Sequence, residues 1–340
     1  MKPVRVLALM HPELVPRDDR GRLSPQEASD SKTEYDVVRT LRTTGHEVYP
    51  LGVQYELFPI RDAIEQVEPH IVFNLLEEFH GEVLFDQNVV SFLELLHIPY
   101  TGCNPRGLVI SRGKALSKKL VAYHRIRVPD FAVFPAGHKV RRPSRLRFPL
   151  IVKSLIEHAS VGIAKASIVE SDEKLAERVA FVHERLGTDA IAEQFIEGRE
   201  LYVSVLGNDR LTVFPAWELV ALNRTDGEPL IATAKVKHDV EYQERHGIRI
   251  RPADMPEELA ARMARTARRI YKILELSGYA RLDFRLDASG EFYFLEANPN
   301  PEIAEGEEFA QAARAGGIAY PALLDRILAL GLKQRYPAPA

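Results

Sequence analysis

Residues 278–301 read GYARLDFRLDASGEFYFLEANPNP. Two runs in which apolar and polar side chains alternate flank the tripeptide Ala-Ser-Gly, and this pattern is typical of an antiparallel β-hairpin. Because successive side chains of a strand point to opposite faces, Arg281 and Asp283 share one face of the first strand. By the same argument, Glu296 and Asn298 share a face of the second strand. The hairpin therefore brings four polar side chains together if these two faces coincide.

This polar face has two interpretations. Residues that lie opposite each other in an antiparallel pair are about 5 Å apart, so Asp283 and Glu296 could hold Mg²⁺ ions with Asn298 as a neutral oxygen ligand. The alternative is a solvated face on which Arg281 forms a salt bridge with one of the carboxylates. The pattern alone leaves both interpretations open.

The composition narrows the class of protein. The chain has 340 residues, of which 46% are hydrophobic and 27% are charged, which is typical of a globular protein with more than one core. A net charge of -3 provides no overall basic field for nucleic acid or an anionic membrane, so we predict neither as a partner. Cys103 is the single cysteine. This excludes an intramolecular disulfide framework and a cysteine-built metal cluster, and it suits a reducing cytoplasm.

The N-terminal third alternates strands with helices. MKPVRVLALM predicts a first strand, and no stretch of the chain approaches the roughly 18 apolar residues of a membrane helix. A helix is predicted over 31–44, with Ser31 and Glu34 as a capping box. Strands follow at HEVYPLGV and HIVFNLL. This alternation predicts an α/β domain over residues 1–110.

The middle of the chain predicts a second domain. One helix is expected from Ser111 to Arg125. Strands at FPLIVKS, GIAKASIV and AIAEQFI surround a helix that Ser171 caps and Gly187 ends. We interpret residues 111–198 as a central lid domain.

The remaining residues, 199–335, predict an α+β domain that contains the hairpin. A polar segment from Asn223 to Arg251 precedes a long helix over 256–277. Loops of this length inside compact domains are usually functional or disordered. We therefore expect this segment to be the most mobile element.

The hairpin motif resembles a known family. The segment resembles the metal-binding hairpin of ATP-grasp ligases, most of all that of the D-alanine:D-alanine ligase branch. The resemblance lies in the motif R-x-D-F, in the motif L-E-A-N-P-N-P, and in the spacing of thirteen positions from Asp283 to Glu296. The resemblance covers nearly the whole chain, with its motifs in the family order. It implies an ATP-grasp fold with the nucleotide between the central and C-terminal domains. It also implies ATP and Mg²⁺ (or Mn²⁺) as cofactors, with Asp283, Glu296 and Asn298 as metal ligands.

The resemblance also implies a set of nucleotide contacts. The phosphate-binding lysines are Lys114, Lys153 and Lys237, and Ser160 belongs to a small-residue loop over the phosphates. The segment AEQFIEGREL resembles the adenine hinge. It places Glu193, Gln194 and Ile196 at adenine and Glu200 at the ribose hydroxyls. A single lysine is usually a surface residue, so only the ordered set carries the inference.

The implied reaction joins a small-molecule carboxylate, such as an amino acid, to an amine through an acylphosphate. Phosphoryl transfer depends on positioning and on charge neutralisation by metal ions and lysines. Arg281 is placed to stabilise the oxyanion that forms when the amine attacks. Together with Lys237 and Ser160, it completes the predicted catalytic set. A homodimer is the expected assembly on general grounds.

The predicted substrate site departs from the family. Glu34 is the substitute for a substrate-binding glutamate, and Glu82 belongs to an acidic turn where the first substrate should approach. Glu302 stands at a glycine position and Glu307 at the position of a carboxylate-binding serine. Because glutamates repel a carboxylate, we predict an acceptor with a cationic or hydroxyl group instead of D-alanine. The alternative is that both glutamates point to solvent.

Two other functions remain open at this point. One is a true D-alanine:D-alanine ligase, against which the altered pocket argues. The other is an ATP-binding module without catalysis, whose signature would be a damaged metal triad. The intact Asp283, Glu296 and Asn298 favour an enzyme. P-loop, Rossmann, zinc-protease and serine-hydrolase motifs are absent from the sequence.

Overall fold

The computed structural model describes residues 1–16, 30–156, 163–223, 230–233, 236 and 239–334. The first part alternates strands and helices as expected: β1 (Arg5–Met10), α1 (Lys32–Thr43), β2 (Glu47–Gly52), α2 (Phe58–Val67), β3 (Ile71–Asn74) and α3 (Asp86–Leu95). The strands form a parallel sheet in the order β2-β1-β3. Five of the six residues of β1 are buried, as expected for a parallel strand covered on both faces.

The start of α1 differs from the prediction. Ser31 makes no side-chain capping hydrogen bond, so the predicted capping box is wrong. The reason lies in Glu34, whose side chain is buried instead of reaching back to the helix start. Only 6% of Glu34 is exposed.

The helix predicted from Ser111 to Arg125 is in fact two helices, α4 (Pro105–Arg112) and α5 (Lys114–Tyr123). Gly113 lies between them with a non-helical ψ of 90°. The break makes Lys114 the first residue of α5. Lys118 lies one turn later, on the same face.

The central sheet has four antiparallel strands in the order β4-β7-β5-β6. Its elements are β4 (Phe131–Phe134), β5 (Leu150–Ser154), β6 (Ile168–Val169), α6 (Asp172–Leu186) and β7 (Ala190–Gln194). The predicted limits of α6 are confirmed. Ser171 accepts a hydrogen bond from the Lys174 amide at 3.3 Å, and Gly187 has a φ of +66°.

The strand predicted at GIAKASIV is mostly wrong. Gly162 lies outside the described residues, and of residues 163–169 only Ile168–Val169 form a strand, after a short 3₁₀ helix at Lys165–Ser167. The Ser167 hydroxyl holds this turn, because it accepts from the Ala164 amide at 3.0 Å. It also accepts from Arg178 Nη2 at 2.9 Å.

The C-terminal sheet has six antiparallel strands. The path is β11-β10-β8-β12-β13, and β9 pairs with β8. Its strands are β8 (Arg199–Leu206), β9 (Thr212–Val213), β10 (Trp217–Ala221), β11 (Ile248–Pro252), β12 (Tyr279–Leu286) and β13 (Phe292–Pro299). The helices of this region are α7 (Val240–His246), α8 (Glu257–Ile273), α9 (Glu308–Ala315) and α10 (Tyr320–Leu332).

The segment from Asn223 to Arg251 was predicted as a loop, but its second half is ordered. Asp239 caps α7 by accepting from the Tyr242 amide at 2.9 Å, and Gly247 ends the helix with a φ of +60°. Strand β11 follows at once. The loop prediction is therefore wrong for this half.

The hairpin register matches the prediction. Arg281 lies opposite Asn298, and Asp283 lies opposite Glu296. The register shifts directly after Asp283, so that Phe284 faces Phe294. Such a bulge bends the strand and re-aims nearby side chains.

The three sheets fall within the three predicted segments, while the domain limits at 110 and 198 stay a prediction. One core cluster joins Leu7 and Val72 to Leu282 and Phe284, so the first and last segments share apolar packing. No single helix of the described residues could cross a membrane by length and composition. Only α9 and α10 taken together pass that test, and they are bent by 101° at their junction.

Candidate functional site

A cleft between the central and C-terminal sheets brings most of the predicted nucleotide residues together. Strands β5, β7, β8, β12 and β13 all contribute to it. Its lining combines apolar and charged side chains: Ile151, Lys153, Ile163, Glu193, Gln194, Phe195, Ile196, Glu200, Ile231, Ala232, Asp283, Arg285, Leu295 and Glu296. An apolar slot with a few convergent polar groups is the usual form of a small-molecule site.

Two lysines hold Glu193 at the bottom of this cleft. Glu193 Oε1 lies 2.9 Å from Lys118 Nζ, and Glu193 Oε2 lies 3.3 Å from Lys153 Nζ. Burial alone would raise the pKa of Glu193, but the two lysines outweigh it and the pKa lies below its ordinary value. Lys118 also donates to the carbonyl oxygen of Leu295.

Lys118 was missed by the sequence analysis. It is fully buried, although lysines are almost always exposed. The one sequence feature that pointed to Lys118 was its position four residues after Lys114, on the same face of a helix. Because the break at Gly113 was not recognised, it was unclear which residues share that helix face.

Lys114 is buried at the start of α5, close to this group. Burial lowers its pKa to about 8, although the negative charge of Glu296 acts in the opposite direction. Lys114 does not line the cleft itself. The structure nevertheless places two of the three predicted lysines around the same carboxylates.

Glu200, the predicted ribose contact, is held by two neighbours. Its Oε2 lies 3.0 Å from Arg285 Nη2, and its Oε1 accepts from the Tyr202 hydroxyl at 3.1 Å. Arg285 also donates to the carbonyl oxygens of Gly198 at 2.9 Å and Leu230 at 2.6 Å. The sequence analysis did not identify Arg285, because its only signal was an arginine in an apolar strand.

Three of the four polar groups of the hairpin are in direct contact, and the fourth, Glu296, lies opposite Asp283 in the strand pair. Arg281 Nε and Nη2 donate to the two oxygens of Asp283 at 2.8 and 3.0 Å, and Asn298 Nδ2 donates to Asp283 Oδ2 at 3.0 Å. The salt bridge between Arg281 and a hairpin carboxylate, which the alternative interpretation predicted, is therefore present. It lies beside the Asp283–Glu296 pair. Arg281 also contacts Glu308, and its guanidinium lies 4.8 Å from the Tyr202 ring centre.

The donor set fits a hard divalent cation. Asp283 is 3% exposed, and it lies directly opposite Glu296. Two carboxylates and an amide oxygen are the ligands that Mg²⁺ and Mn²⁺ prefer. Within the described residues, no group of three or more His, Cys, Asp or Glu side chains could hold a metal ion. A metal at this hairpin would therefore need oxygen ligands in addition to Asp283 and Glu296, such as the amide oxygen of Asn298.

A second, larger cavity of about 860 Å³ lies on the other side of the Arg281–Asp283 pair. Arg281 and Tyr202 line it from the hairpin side. Three of the four predicted substrate residues, Glu34, Glu302 and Glu307, line it as well. The fourth does not: Glu82 is exposed in a turn, where its amide donates to the Phe79 carbonyl oxygen at 3.0 Å.

The glutamates of this cavity surround Lys32. Lys32 Nζ lies 3.0 Å from Glu302 Oε1 and also contacts Glu307 Oε1. Burial raises the pKa of Glu302 to about 7, and the charge of Glu307 adds to this effect. Burial likewise raises the pKa of Glu34 to about 7, with Glu77 and Glu302 acting in the same direction. Lys32 was also missed by the sequence analysis.

Two predicted catalytic residues, Ser160 and Lys237, lie outside the described residues.

Comparisons with known proteins identify the family to which the chain is similar. Residues 120–329 match the family model described as D-ala D-ala ligase C-terminus. The D-alanine–D-alanine ligase of Aquifex aeolicus is 31% identical over 308 residues, which cover 91% of this chain and 97% of that protein. The D-alanine–D-alanine ligase of Desulfotalea psychrophila is 32% identical, with 81% and 82% covered.

The fold is shared with solved structures. The crystal structure of D-alanine–D-alanine ligase from Bacillus anthracis complexed with ATP superposes with a TM-score of 0.74. It covers 97% of this chain and 98% of that chain at 23% identity. The chain thus has the ATP-grasp fold, and it is a ligase that forms carbon–nitrogen bonds at the expense of ATP. It belongs to the D-alanine–D-alanine ligase family.

Proposed function

We propose that this protein is an ATP- and Mg²⁺-dependent ligase that joins a small-molecule carboxylate, such as an amino acid, to an amine through an acylphosphate. The observation that carries the proposal is that the nucleotide cleft and the 860 Å³ cavity meet at one ion pair, Arg281 with Asp283. A phosphoryl donor in the cleft and a carboxylate in the cavity would therefore face each other across this pair.

The residues of the cleft divide into binding groups. Gln194 and Ile196 offer the hinge backbone and an apolar wall to a base, and Glu200 faces the sugar. Lys153 and Lys114 neutralise phosphate oxygens, with Lys237 and Ser160 in the same role by resemblance. Asp283, Glu296 and Asn298 would hold the metal. When bound, MgATP supplies the phosphoryl group and part of the charge neutralisation.

The substrates react at Arg281. A carboxylate oxygen takes the γ-phosphoryl group, which gives an acylphosphate and ADP. The amine nitrogen then bonds to the acyl carbon, the bond from that carbon to the phosphate oxygen breaks, and phosphate leaves with the electron pair. The amine loses a proton. Arg281 donates to the oxyanion that forms at the acyl carbon, where a positioned donor is worth about 2.7–4 kcal/mol.

The metal-binding role of the hairpin can be tested with Glu296→Gln. The change keeps the shape of the side chain but removes a ligand charge, so we expect ADP release to fall at least about a hundredfold with little effect on unfolding. Glu291→Gln is the matched control, since Glu291 pairs with the surface residues Arg127 and Arg262 at the hairpin turn. Unchanged ADP release in Glu296→Gln would contradict the metal role.

D-alanine dimer formation is the second candidate, favoured by the names of the relatives. A screen of amino acids and amines for substrate-dependent ADP release separates the two. Release with D-alanine alone supports the second candidate, and release that requires a different amine supports the first. MgATP binding without release for any pair would leave only a nucleotide-binding module.

A further inference from the structure

The larger cavity carries an excess of negative charge. Among the described residues, its lining contains seven carboxylate side chains and three lysine or arginine side chains: Asp30, Glu34, Glu77, Glu78, Glu302, Glu307 and Glu308, against Lys32, Arg249 and Arg281. Arg281 is engaged by Asp283 and Glu308. The field that remains in the cavity is therefore acidic, and it favours a cationic ligand.

Part of this negative charge belongs to the two glutamates that contact Lys32. This lysine lies between two glutamates, with 3.0 Å from Nζ to Glu302 Oε1 and a contact to Glu307 Oε1. Above about pH 7, where Glu302 is ionised, one positive charge opposite two negative charges leaves the group with a net negative charge. Because the side chains of Glu302 and Glu307 are only 40% and 27% exposed, water screens this charge incompletely.

Glu34 gives an independent sign of a ligand. It is 6% exposed and lines the same cavity, and its Oε2 has no hydrogen-bond partner among the described residues. A buried acceptor without a donor costs roughly 1–3 kcal/mol. A cationic donor that enters the cavity would remove this cost.

We propose that the acceptor substrate is a diamine. One amine is acylated beside Arg281, and the second, as an ammonium group, is held by Glu302, Glu307 and Glu34. An ammonium group has three N–H donors, which match three carboxylates. The cavity volume of about 860 Å³ is within the range of roughly 300–1,000 Å³ that is usual for ligand sites. This proposal rests on the proposed ligase function and narrows its acceptor.

The alternative acceptor is an α-amino acid such as D-alanine, whose carboxylate would occupy the same end of the cavity. That carboxylate would meet Glu302 and Glu307, whose charges Lys32 balances only in part. Like charges in a partly desolvated site repel strongly. The diamine therefore fits the charge of the cavity and the amino acid does not.

Calorimetry can test the proposal before the carboxylate substrate is known. The protein is first saturated with Mg²⁺ and a non-hydrolysable ATP analogue, and 1,4-diaminobutane or D-alanine is then titrated at matched ionic strength. We expect 1,4-diaminobutane to bind and D-alanine to neither bind nor compete. Glu307→Gln should weaken diamine binding at least about tenfold, whereas Glu305→Gln, an exposed carboxylate outside the cavity, should leave it unchanged.

Lys32→Met gives a test of opposite sign. Removal of this competing cation should leave diamine binding at least as tight as in the unmodified protein. The proposal is overturned if D-alanine binds as tightly as the diamine, or if Glu302→Gln and Glu307→Gln leave diamine binding unchanged. If the ATP analogue binds and the diamine does not, this proposal alone fails. If the analogue does not bind either, the proposed ligase function fails with it.

Discussion

At the scale of single residues, the buried ion pairs explain how the cleft keeps its charges in place. Glu193 is fully buried, yet it stays ionised because Lys118 and Lys153 lie on either side of it. A buried charge that loses its partner is strongly destabilising, whereas the complete pair is close to neutral for stability. Lys118 therefore positions Glu193 in the cleft.

Lys118→Met should destabilise the protein by about 3–5 kcal/mol, because it leaves Glu193 with one partner. Lys119→Met is the matched control, since Lys119 is the next residue of α5 and is exposed. That change should stay within about 0.5 kcal/mol. Urea unfolding of both variants measures the difference in the free energy of unfolding. Equal stabilities would show that Lys118 is not needed to balance the negative charge of Glu193.

Glu34 should make stability depend on pH. Its pKa of about 7 lies above the ordinary value of 4.5, so ionisation costs more in the folded state than in the unfolded state. Stability is therefore lost as pH rises from about 4.5 to 7 and is constant above that. The neighbouring charges that contribute are Glu77 and Glu302.

Glu34→Gln should consequently stabilise the protein more at pH 8 than at pH 5, by on the order of 2 kcal/mol. Glu56→Gln, at an exposed position, should show no such pH dependence. Thermal unfolding at the two pH values measures the effect. The same stability change at both pH values would mean that ionisation of Glu34 costs no more free energy in the folded state than in the unfolded state.

At the scale of elements, the hinge between β7 and β8 depends on one glycine. Gly198 has a φ of +135°, and a Cβ at this position would lie 2.0 Å from the Leu286 carbonyl oxygen. The Gly198 carbonyl oxygen also accepts from Arg285 Nη1 at 2.9 Å. The glycine thus lets the hinge lie directly against the end of β12.

Gly198→Ala should cost roughly 3 kcal/mol of stability and weaken nucleotide binding, since the hinge must move away from the hairpin. Gly187→Ala is the control: Gly187 also has a positive φ, of +66°, but a Cβ there meets no atom within 4 Å. It should cost only about 1–2 kcal/mol and spare nucleotide binding. Equal effects of the two changes would mean that backbone conformation alone matters at Gly198.

Helices and strands with a regular pattern of apolar side chains were predictable from the sequence. Elements whose limits depend on single residues were not. The hairpin followed from alternation and turn chemistry, so the sequence also predicted that Arg281 and Asp283 share a face. The break at Gly113 was missed because the apolar pattern continues across it. Helix α7, in the segment predicted as a loop, was missed because its charged sequence has no strong apolar period.

The site was predictable where the motif fixed the residue types. Asp283 and Glu296 are placed opposite each other by strand register alone. Lys32 and Lys118 were not predictable, because their roles depend on partners that are distant in sequence. Lys118 is buried and Lys32 is half-buried, which reverses the usual behaviour of lysine, and only tertiary contacts could reveal it.

At the scale of the whole molecule, the packing separates the central sheet from the rest. Among the residues that the structure describes, its main core cluster contains only residues between Ala132 and Ala192. The N-terminal strand β1 packs with α9 and α10 on one face and with C-terminal strands on the other. The two walls of the cleft thus have separate main cores, joined by a small cluster of Ile151, Phe195 and Ile231, which suits a hinged closure around a nucleotide.

The most direct measurement of the central claim is a calorimetric titration of ATP into the protein, with and without millimolar Mg²⁺. We predict one binding site per chain that is tighter with Mg²⁺. It should be weakened at least about tenfold by Lys153→Met and unaffected by Lys139→Met, which changes an exposed lysine. If no binding heat is detected at millimolar ATP and Mg²⁺, or if Lys153→Met binds as well as the unmodified protein, the nucleotide does not occupy this cleft.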